Sequence, residues 1–248
     1  MSMRVEQERI SEGKEVENAI ILASGLGTRM RPITETKPKP LVMVGETTMI
    51  ESVIGGLEHR GVDTIYVVVG YLREQFTYLE EKYPNVVLVY NPDYETINNI
   101  SSLYVARDVL LKGDCFICEA DLVVTEPEIF NADFGKSCYY GKMKKGHSDD
   151  WVFDLDDNGV ITRVGKVGCD QYNMTGIAYF KKEDAVTLYT CLCEEYGKEG
   201  YEKFFWDDVV NAHIDEFELC VHEVQEKQVI EVDTAEELKK IRSSVQRW

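Results

Sequence analysis

Apolar residues along this chain gather into short continuous runs separated by stretches of mixed polarity, and their spacing predicts the elements. NAIILA (19–23 at its core), TIYVVVG (64–70), VVLVY (86–90) and CFICEA (115–120) are rich in β-branched or aromatic side chains. Runs of that length without alternation fit strands buried on both faces. Between them, Met49 to His59 has helical periodicity and closes at Arg60-Gly61. Leu72 to Tyr83 and about Asn99 to Leu110 read as helices as well. Buried strands alternating with helices predict a parallel sheet covered on both faces.

From about residue 138 the pattern changes. SCYYGKM, WVFDLDDNGVITRV and NMTGIAYF read as shorter alternating strands, joined by turns such as Asp157-Asn158-Gly159. Helices are predicted at 182–196 and 203–213, a strand at 219–224, and a last helix from about Thr234. The expected fold class is α/β: a Rossmann-like mixed, mostly parallel central sheet flanked by helices, with a smaller mixed-sheet substrate-binding part. No repeat or linker interrupts residues 18–248, which are expected to form a single domain. Residues 1–17 are polar and acidic and read as a disordered or flexible tail.

Composition narrows the partners. The chain has 248 residues, of which 44% are hydrophobic, enough for a sizeable core. No apolar run approaches the ~20 residues of a membrane span. The first residues lack the apolar segment of a secretory signal, and cysteines read as buried and reduced imply the cytosol, so a cytoplasmic protein is expected. A formal net charge of −18 repels nucleic acid and anionic membranes, so neither is an expected partner. The seven cysteines are odd in number and scattered. Cys115 and Cys118 stand three apart in a strand, on opposite faces, and are expected to be buried thiols rather than a metal or redox pair.

An anionic substrate would therefore need a local basic island, and Arg29, Arg31, Lys37 and Lys39 supply one. They follow the first strand in Ala23-Ser24-Gly25-Leu26-Gly27-Thr28-Arg29-Met30-Arg31-Pro32 and then Pro38-Lys39-Pro40-Leu41. Two glycines one residue apart let the backbone turn tightly and present N–H groups to phosphate oxygens. Thr28 adds a hydroxyl, Arg29 a bidentate cation, and Lys39 an ammonium on a proline-stiffened backbone. Position 30 is Met rather than the third glycine of a dinucleotide fingerprint, and this loop does not end in the Gly-Lys-Ser/Thr of a Walker motif. Carboxylates for a divalent cation come next. Asp121 stands at the carboxyl end of the fourth strand, where open α/β sheets bind ligands, whereas Glu119 lies inside that strand and is left out of the metal site. Asp233, before Thr-Ala-Glu-Glu, reads equally as a ligand and as a helix cap.

These motifs resemble the nucleotidyltransferase superfamily that includes the sugar-phosphate nucleotidylyltransferases. The resemblance implies nucleotide binding by Ala23, Ser24, Gly25, Gly27, Thr28, Arg29, Lys39 and Asp121, with Lys39 and Arg29 catalytic. It also implies a Mg²⁺ ion on Asp121 and Asp233. Lys37 departs from the usual pattern as an extra cation, read as solvated. Over residues 18–241 the likeness extends to the bacterial choline-phosphate cytidylyltransferases, through AIILASGLGTRMRPIT, YNPDYETINNISSLYVA, SDDWVF, FFWDDVV and VIEVDT. CTP and phosphocholine are then the implied small-molecule substrates, with Trp151, Phe205, Asp207 and Glu231 holding the acceptor. Aromatic faces and carboxylates suit an ammonium. Phe205 stands where relatives can carry a tyrosine, and Trp151, Phe205 and Trp206 could equally be core residues. Asn91, Asn98 and Asn99 offer amides to a pyrimidine, or ordinary turn chemistry.

Expected activity is transfer of CMP from CTP to phosphocholine. Two alternatives remain open. One is the same fold acting on 2-aminoethylphosphonate or a sugar 1-phosphate, the latter weakened because Gly165-Lys166-Val167 replaces a Glu-Lys-Pro segment. The other is a non-catalytic nucleotide-binding regulatory module. Oligomeric state is left open.

Overall fold

A computed structural model describes residues 16–245. The central sheet starts with β1 (Glu17–Ala23), every residue of which is buried. Two short strands, β2 (Met43–Val44) and β3 (Thr47–Thr48), pair after the basic loop. Helix α1 (Met49–Arg60) opens on a capping box between Thr48 and Glu51 and stops at Gly61, whose φ of 79° lies in the left-handed region. Strand β4 (Thr64–Val69), the short helix α2 (Tyr78–Lys82) and strand β5 (Val86–Tyr90) follow. Next come α3 (Ile100–Val105), β6 (Asp114–Glu119) and the three-residue β7 (Leu122–Val124).

The second half is dominated by a hairpin of β8 (Cys138–Leu155) and β9 (Ile161–Phe180). The separate short strands expected here are merged into these two long ones. Register shifts between Lys144/His147 and between Ser148/Trp151 bend the pair so that its outer part folds back. Helices α4 (Lys182–Glu195) and α5 (Trp206–Ala212), strands β10 (Cys220–Glu223) and β11 (Val229–Glu231), and helix α6 (Ala235–Val245) complete the described chain. The order in the seven-stranded sheet is β10-β8-β9-β6-β1-β4-β5. β1 runs parallel to β4 and β6, β5 to β4, and β10 to β8, while β9 lies antiparallel to both neighbours. The mostly parallel sheet and the smaller mixed part are therefore as the apolar runs predict.

Helices cover both faces of the sheet. One core joins α1 and α2 through Ile50, Val53, Leu57, Phe76 and Leu79. The other joins α3, α4 and α5 through Ile100, Leu103, Leu188, Leu192, Val209 and Val210. Cys118 enters the first core and Cys115 the second, both as free buried thiols, as expected of positions three apart in a strand. A third, smaller core packs Met30 of the basic loop against Val42, Met49, Val123, Val232, Leu238 and Ile241. Each such side chain contributes about 1.5–3 kcal/mol on burial, so the loop is held by packing as well as by hydrogen bonds.

The tail expected over residues 1–17 lies outside the described residues except at its end. There Glu17 is already part of β1, with its carboxylate on Arg60 at 2.9 Å, so the fold begins one residue earlier than expected. No described helix is long and apolar enough to cross a membrane. Cys191, His213 and Glu216 also cluster. Both ring nitrogens of His213 are engaged by carboxylates, Nδ1 with Glu216 at 2.8 Å and Nε2 with Glu195 at 2.9 Å. Burial alone would depress this imidazole, but the Glu216 and Glu195 carboxylates outweigh it and raise the pKa, as in an ion-paired clamp between α4 and the end of α5.

Candidate active site

Strand β1 ends at Ala23, and its chain turns over the carboxyl edge of the sheet. Gly27 takes φ 61° and starts a single 3₁₀ turn, Thr28–Met30. A Cβ on Gly27 would stand 3.0 Å from Lys39 Cβ and 3.1 Å from Thr34 Cγ2, so the loop closes only around a bare backbone. On Gly25 it would meet no protein atom, and Gly25 faces the cleft. The loop is anchored from several sides. Thr34 Oγ1 donates to Gly27 O at 2.8 Å, and Tyr71 OH donates to the Thr34 and Glu35 carbonyls at 3.0 Å each. Beneath it, Ser24 and Ser102 hydroxyls meet at 2.7 Å, and Asn91 Nδ2 donates to Ser101 and Ser102.

The cleft above this loop measures about 550 Å³. Ala23, Ser24, Gly25, Gly27, Thr28, Arg29, Lys39 and Asp121 all line it, which gathers every residue expected to bind nucleotide into one cavity. Tyr94 to Asn99, Glu119 and Glu202 complete much of its wall. Of the three asparagines offered to a pyrimidine, Asn98 and Asn99 line the cleft. Asn91 is fully buried beneath it and serves the serine network. Asn99 spans two elements: its Nδ2 donates to Glu119 Oε1 at 3.1 Å, and its Oδ1 accepts from Trp206 N at 3.0 Å. Lys37 and Arg31 are exposed and do not line the cleft.

Asp121 and Asp233 are 112 residues apart in sequence and meet through a two-stranded antiparallel sheet, β7 with β11. Val232 N donates to Asp121 O at 3.1 Å and fixes the pair. The helix cap that competed for Asp233 is supplied by its neighbour: Thr234 Oγ1 accepts from Glu237 N, and Glu237 Oε2 accepts from the Asp233 and Thr234 N–H groups. The Asp233 carboxylate is thereby left to the site. Lys39, 7% exposed, bridges both aspartates, its Nζ lying 2.6 Å from Asp121 Oδ2 and 2.8 Å from Asp233 Oδ1. Burial would depress that ammonium, yet Asp121 and Asp233 together hold its pKa above the ordinary lysine value. Arg29 reaches Asp233 Oδ2 at 2.6 Å from a largely exposed position.

Carboxylates outnumber cations around this lysine. Oxygens of Asp121, Glu231 and Asp233 lie within 4.8 Å of one another, a hard oxygen set of the kind that holds Mg²⁺. Glu231, expected on the acceptor, thus stands equally close to the metal aspartates. Glu231 is solvent-exposed on β11, yet the neighbouring protein and the charges of Asp121 and Asp233 raise its carboxyl to about 8. Glu119 is raised well above the usual range by burial and by Asp121, Asp207 and Glu231.

The remaining residues expected to hold the acceptor lie beside the cleft rather than in its wall. Trp151 on β8 and Phe205 at the start of α5 meet edge to face with centroids 5.6 Å apart, both half-buried. Asp208 caps α5 by accepting from Phe205 N at 2.8 Å, which fixes the ring's backbone. Trp206 is a core residue stacked on Tyr139, as one reading of the sequence allowed. Asp207 is 4% exposed and accepts from Tyr139 OH at 3.2 Å, and burial pushes it up to about 7. A cation that sequence reading did not assign sits here too: Lys166 Nζ lies 5.5 Å from the Trp151 ring and 5.3 Å from the Phe205 ring. Lys166 is far from both in sequence, and only the β8–β9 register, which pairs it with Trp151, makes it a neighbour.

Comparison with known proteins fits this geometry. Residues 19–134 match the MobA-like NTP transferase domain. The chain is 55% identical to a 2-aminoethylphosphonate cytidylyltransferase of Lancefieldella rimae, over 89% of this chain and 90% of that one. It is 31% identical to a choline-phosphate cytidylyltransferase of Streptococcus pneumoniae, over 90% and 96%. The solved structure of the CTP:phosphocholine cytidylyltransferase from Streptococcus pneumoniae superposes with a TM-score of 0.85 at 30% identity, covering 93% of this chain and 99% of that one.

Proposed function

The chain belongs to the nucleotidyltransferase family, among its cytidylyltransferases, and from that membership we propose that it transfers CMP from CTP to 2-aminoethylphosphonate, releasing pyrophosphate. The observation that carries the reaction type is Lys39, clamped between Asp121 and Asp233 at the edge of the glycine-loop cleft. For the acceptor, the 55% identity to an aminoethylphosphonate enzyme outweighs about 30% to the choline-phosphate enzymes. The alternative kept open by the sequence thus takes precedence over phosphocholine.

A phosphonate oxygen is already largely ionised at neutral pH, so no protein base is needed. That oxygen attacks the α-phosphorus of CTP in line. A new P–O bond forms as the bond to the β-phosphate oxygen breaks, and pyrophosphate leaves with the electron pair. The chain contributes position and charge. Backbone N–H groups around Gly25 and Gly27 cradle the triphosphate, Arg29 meets it from the open side, and Lys39 neutralises the α-phosphoryl oxygens. Asp121 and Asp233, with Glu231 as a third oxygen donor, would hold Mg²⁺, whose chemistry is to offset charge on the phosphates. The acceptor's ammonium is drawn to the surplus carboxylates.

The test is a panel of acceptors (2-aminoethylphosphonate, phosphocholine and glucose 1-phosphate) against each of the four NTPs with Mg²⁺, read by pyrophosphate release. Fastest turnover is expected with CTP and 2-aminoethylphosphonate. A higher kcat/KM for phosphocholine, or for another NTP, would overturn the assignment.

A further inference from the structure

A quaternary ammonium has no N–H to donate and depends on aromatic faces for its binding. A primary ammonium has three donors and is served by carboxylates. The acceptor side of this site offers one aromatic pair, Trp151 with Phe205, and that pair already has a cation on it. Lys166 Nζ is about equally distant from the two ring centroids, at 5.5 and 5.3 Å. In a chain with a net charge of −18, this ammonium has no carboxylate within salt-bridge distance among the described residues. Its neighbours are the rings.

The backbone that delivers it is built with care. Arg163, paired with Asp154 at 2.5 Å, donates to the carbonyls of both Lys166 and Val167 at 3.3 Å. Gln171 donates to the same Asp154. Val167 is held at φ 68°, a left-handed conformation that a β-branched residue adopts only when its surroundings impose it. Such residues gather at ligand clamps. Two independent features, a salt-bridged guanidinium on the peptide and a strained neighbour, therefore fix a lysine whose side chain ends on the acceptor's aromatic pair.

We propose that Lys166 sets acceptor specificity: seated against Trp151 and Phe205, its ammonium keeps trimethylammonium acceptors off that pair and leaves primary ammoniums to the carboxylates. The proposal rests on cytidylyl transfer to an aminoalkyl phosphonate, the reading given above.

The experiment compares wild type, Lys166→Met and Lys166→Arg, each with CTP, on 2-aminoethylphosphonate and on phosphocholine. Methionine keeps an apolar side chain and removes the charge, and arginine keeps a cation that can lie on the rings. The ratio of kcat/KM for phosphocholine to that for 2-aminoethylphosphonate is expected to rise at least about tenfold in Lys166→Met, mainly through a lower phosphocholine KM, and to stay near wild type in Lys166→Arg. Thermal melting and CTP binding check that the variants are folded, and Lys166→Gln replaces Lys166→Met if the latter is not. An unchanged ratio overturns the proposal, including the case in which both acceptors weaken together because Lys166 holds the phosphonate itself. A wild-type enzyme that prefers phosphocholine would overturn the proposed substrate instead. The change in ratio between variant and wild type is read separately from that preference.

Discussion

The nucleotide end and the acceptor end of this site are built on different plans. At the proposed nucleotide end most of the expected groups come from one stretch, residues 23 to 39, with Asp121 joining from β6–β7, and much of the surface is main chain, held by Gly27's conformation and by Thr34 and Tyr71. At the proposed acceptor end Trp151, Lys166, Phe205, Asp207 and Glu231 come from β8, β9, the start of α5 and β11, and every group offered is a side chain. A triphosphate presents the same oxygens whatever enzyme it meets, and backbone N–H groups fit it without regard to neighbouring side chains. An acceptor differs between relatives, and side chains on separate elements can be exchanged one at a time.

Three experiments would break or sharpen that contrast. The largest effect is expected at the join between the two ends. Lys39→Ala removes the cation shared by Asp121 and Asp233 and should lower kcat by about 10²–10³ with either acceptor, while circular dichroism shows the fold retained. Unchanged turnover would remove Lys39 from the chemistry. At the nucleotide end, Gly27→Ala adds a Cβ against Lys39 and Thr34 in a left-handed residue. It should cost about 1–2 kcal/mol of stability. It should also raise the KM for CTP roughly tenfold, leaving the acceptor KM nearly untouched, if the ends are independent as described.

The smallest effect belongs to the acceptor end. Burial raises the Asp207 carboxyl from its ordinary value to about 7. Being an acid, it is neutral below that value and charged above it, whereas a primary ammonium stays cationic throughout. Acceptor KM should therefore fall, by roughly twofold to fivefold, as pH rises through about 7, and Asp207→Asn should flatten that part of the profile. A variant whose profile matched wild type would assign the titration elsewhere, with Glu231 the next group to test. The same raised pKa predicts that this group's contribution to folding stability declines as pH rises from about 4 through 7, because the native state then holds the proton more tightly than the unfolded chain.

How much of this was legible follows from how far each feature reaches along the chain. Four parallel strands and the glycine loop are local patterns, and the structure keeps their positions to within a residue or two. Asp233 was ambiguous because Asp and Thr are both good caps. What settles the cap is Thr234's exchange with Glu237, a matter of side-chain geometry rather than composition. The sheet of β7 and β11 has three residues a side, joining segments about a hundred residues apart, and leaves no periodic trace. Asn91 was singled out with Asn98 and Asn99 because all three share a segment, but its amide points under the floor to serines that no spacing rule connects to it. That Lys166 lies on Trp151 was not legible for the same reason: its partner lies across a bulged register that is decided by the whole hairpin.

That hairpin has an evolutionary consequence. Because β8 and β9 carry Trp151 and Lys166 on a folded-back arm whose bulges set which way each residue faces, adding or deleting one residue there re-aims the side chains. The phosphate-holding loop need not move at all. A lineage can therefore re-aim Trp151 and Lys166 together by editing a single arm, and a graft of residues 144–168 between relatives would swap that pair while leaving the nucleotide half an unaltered chassis.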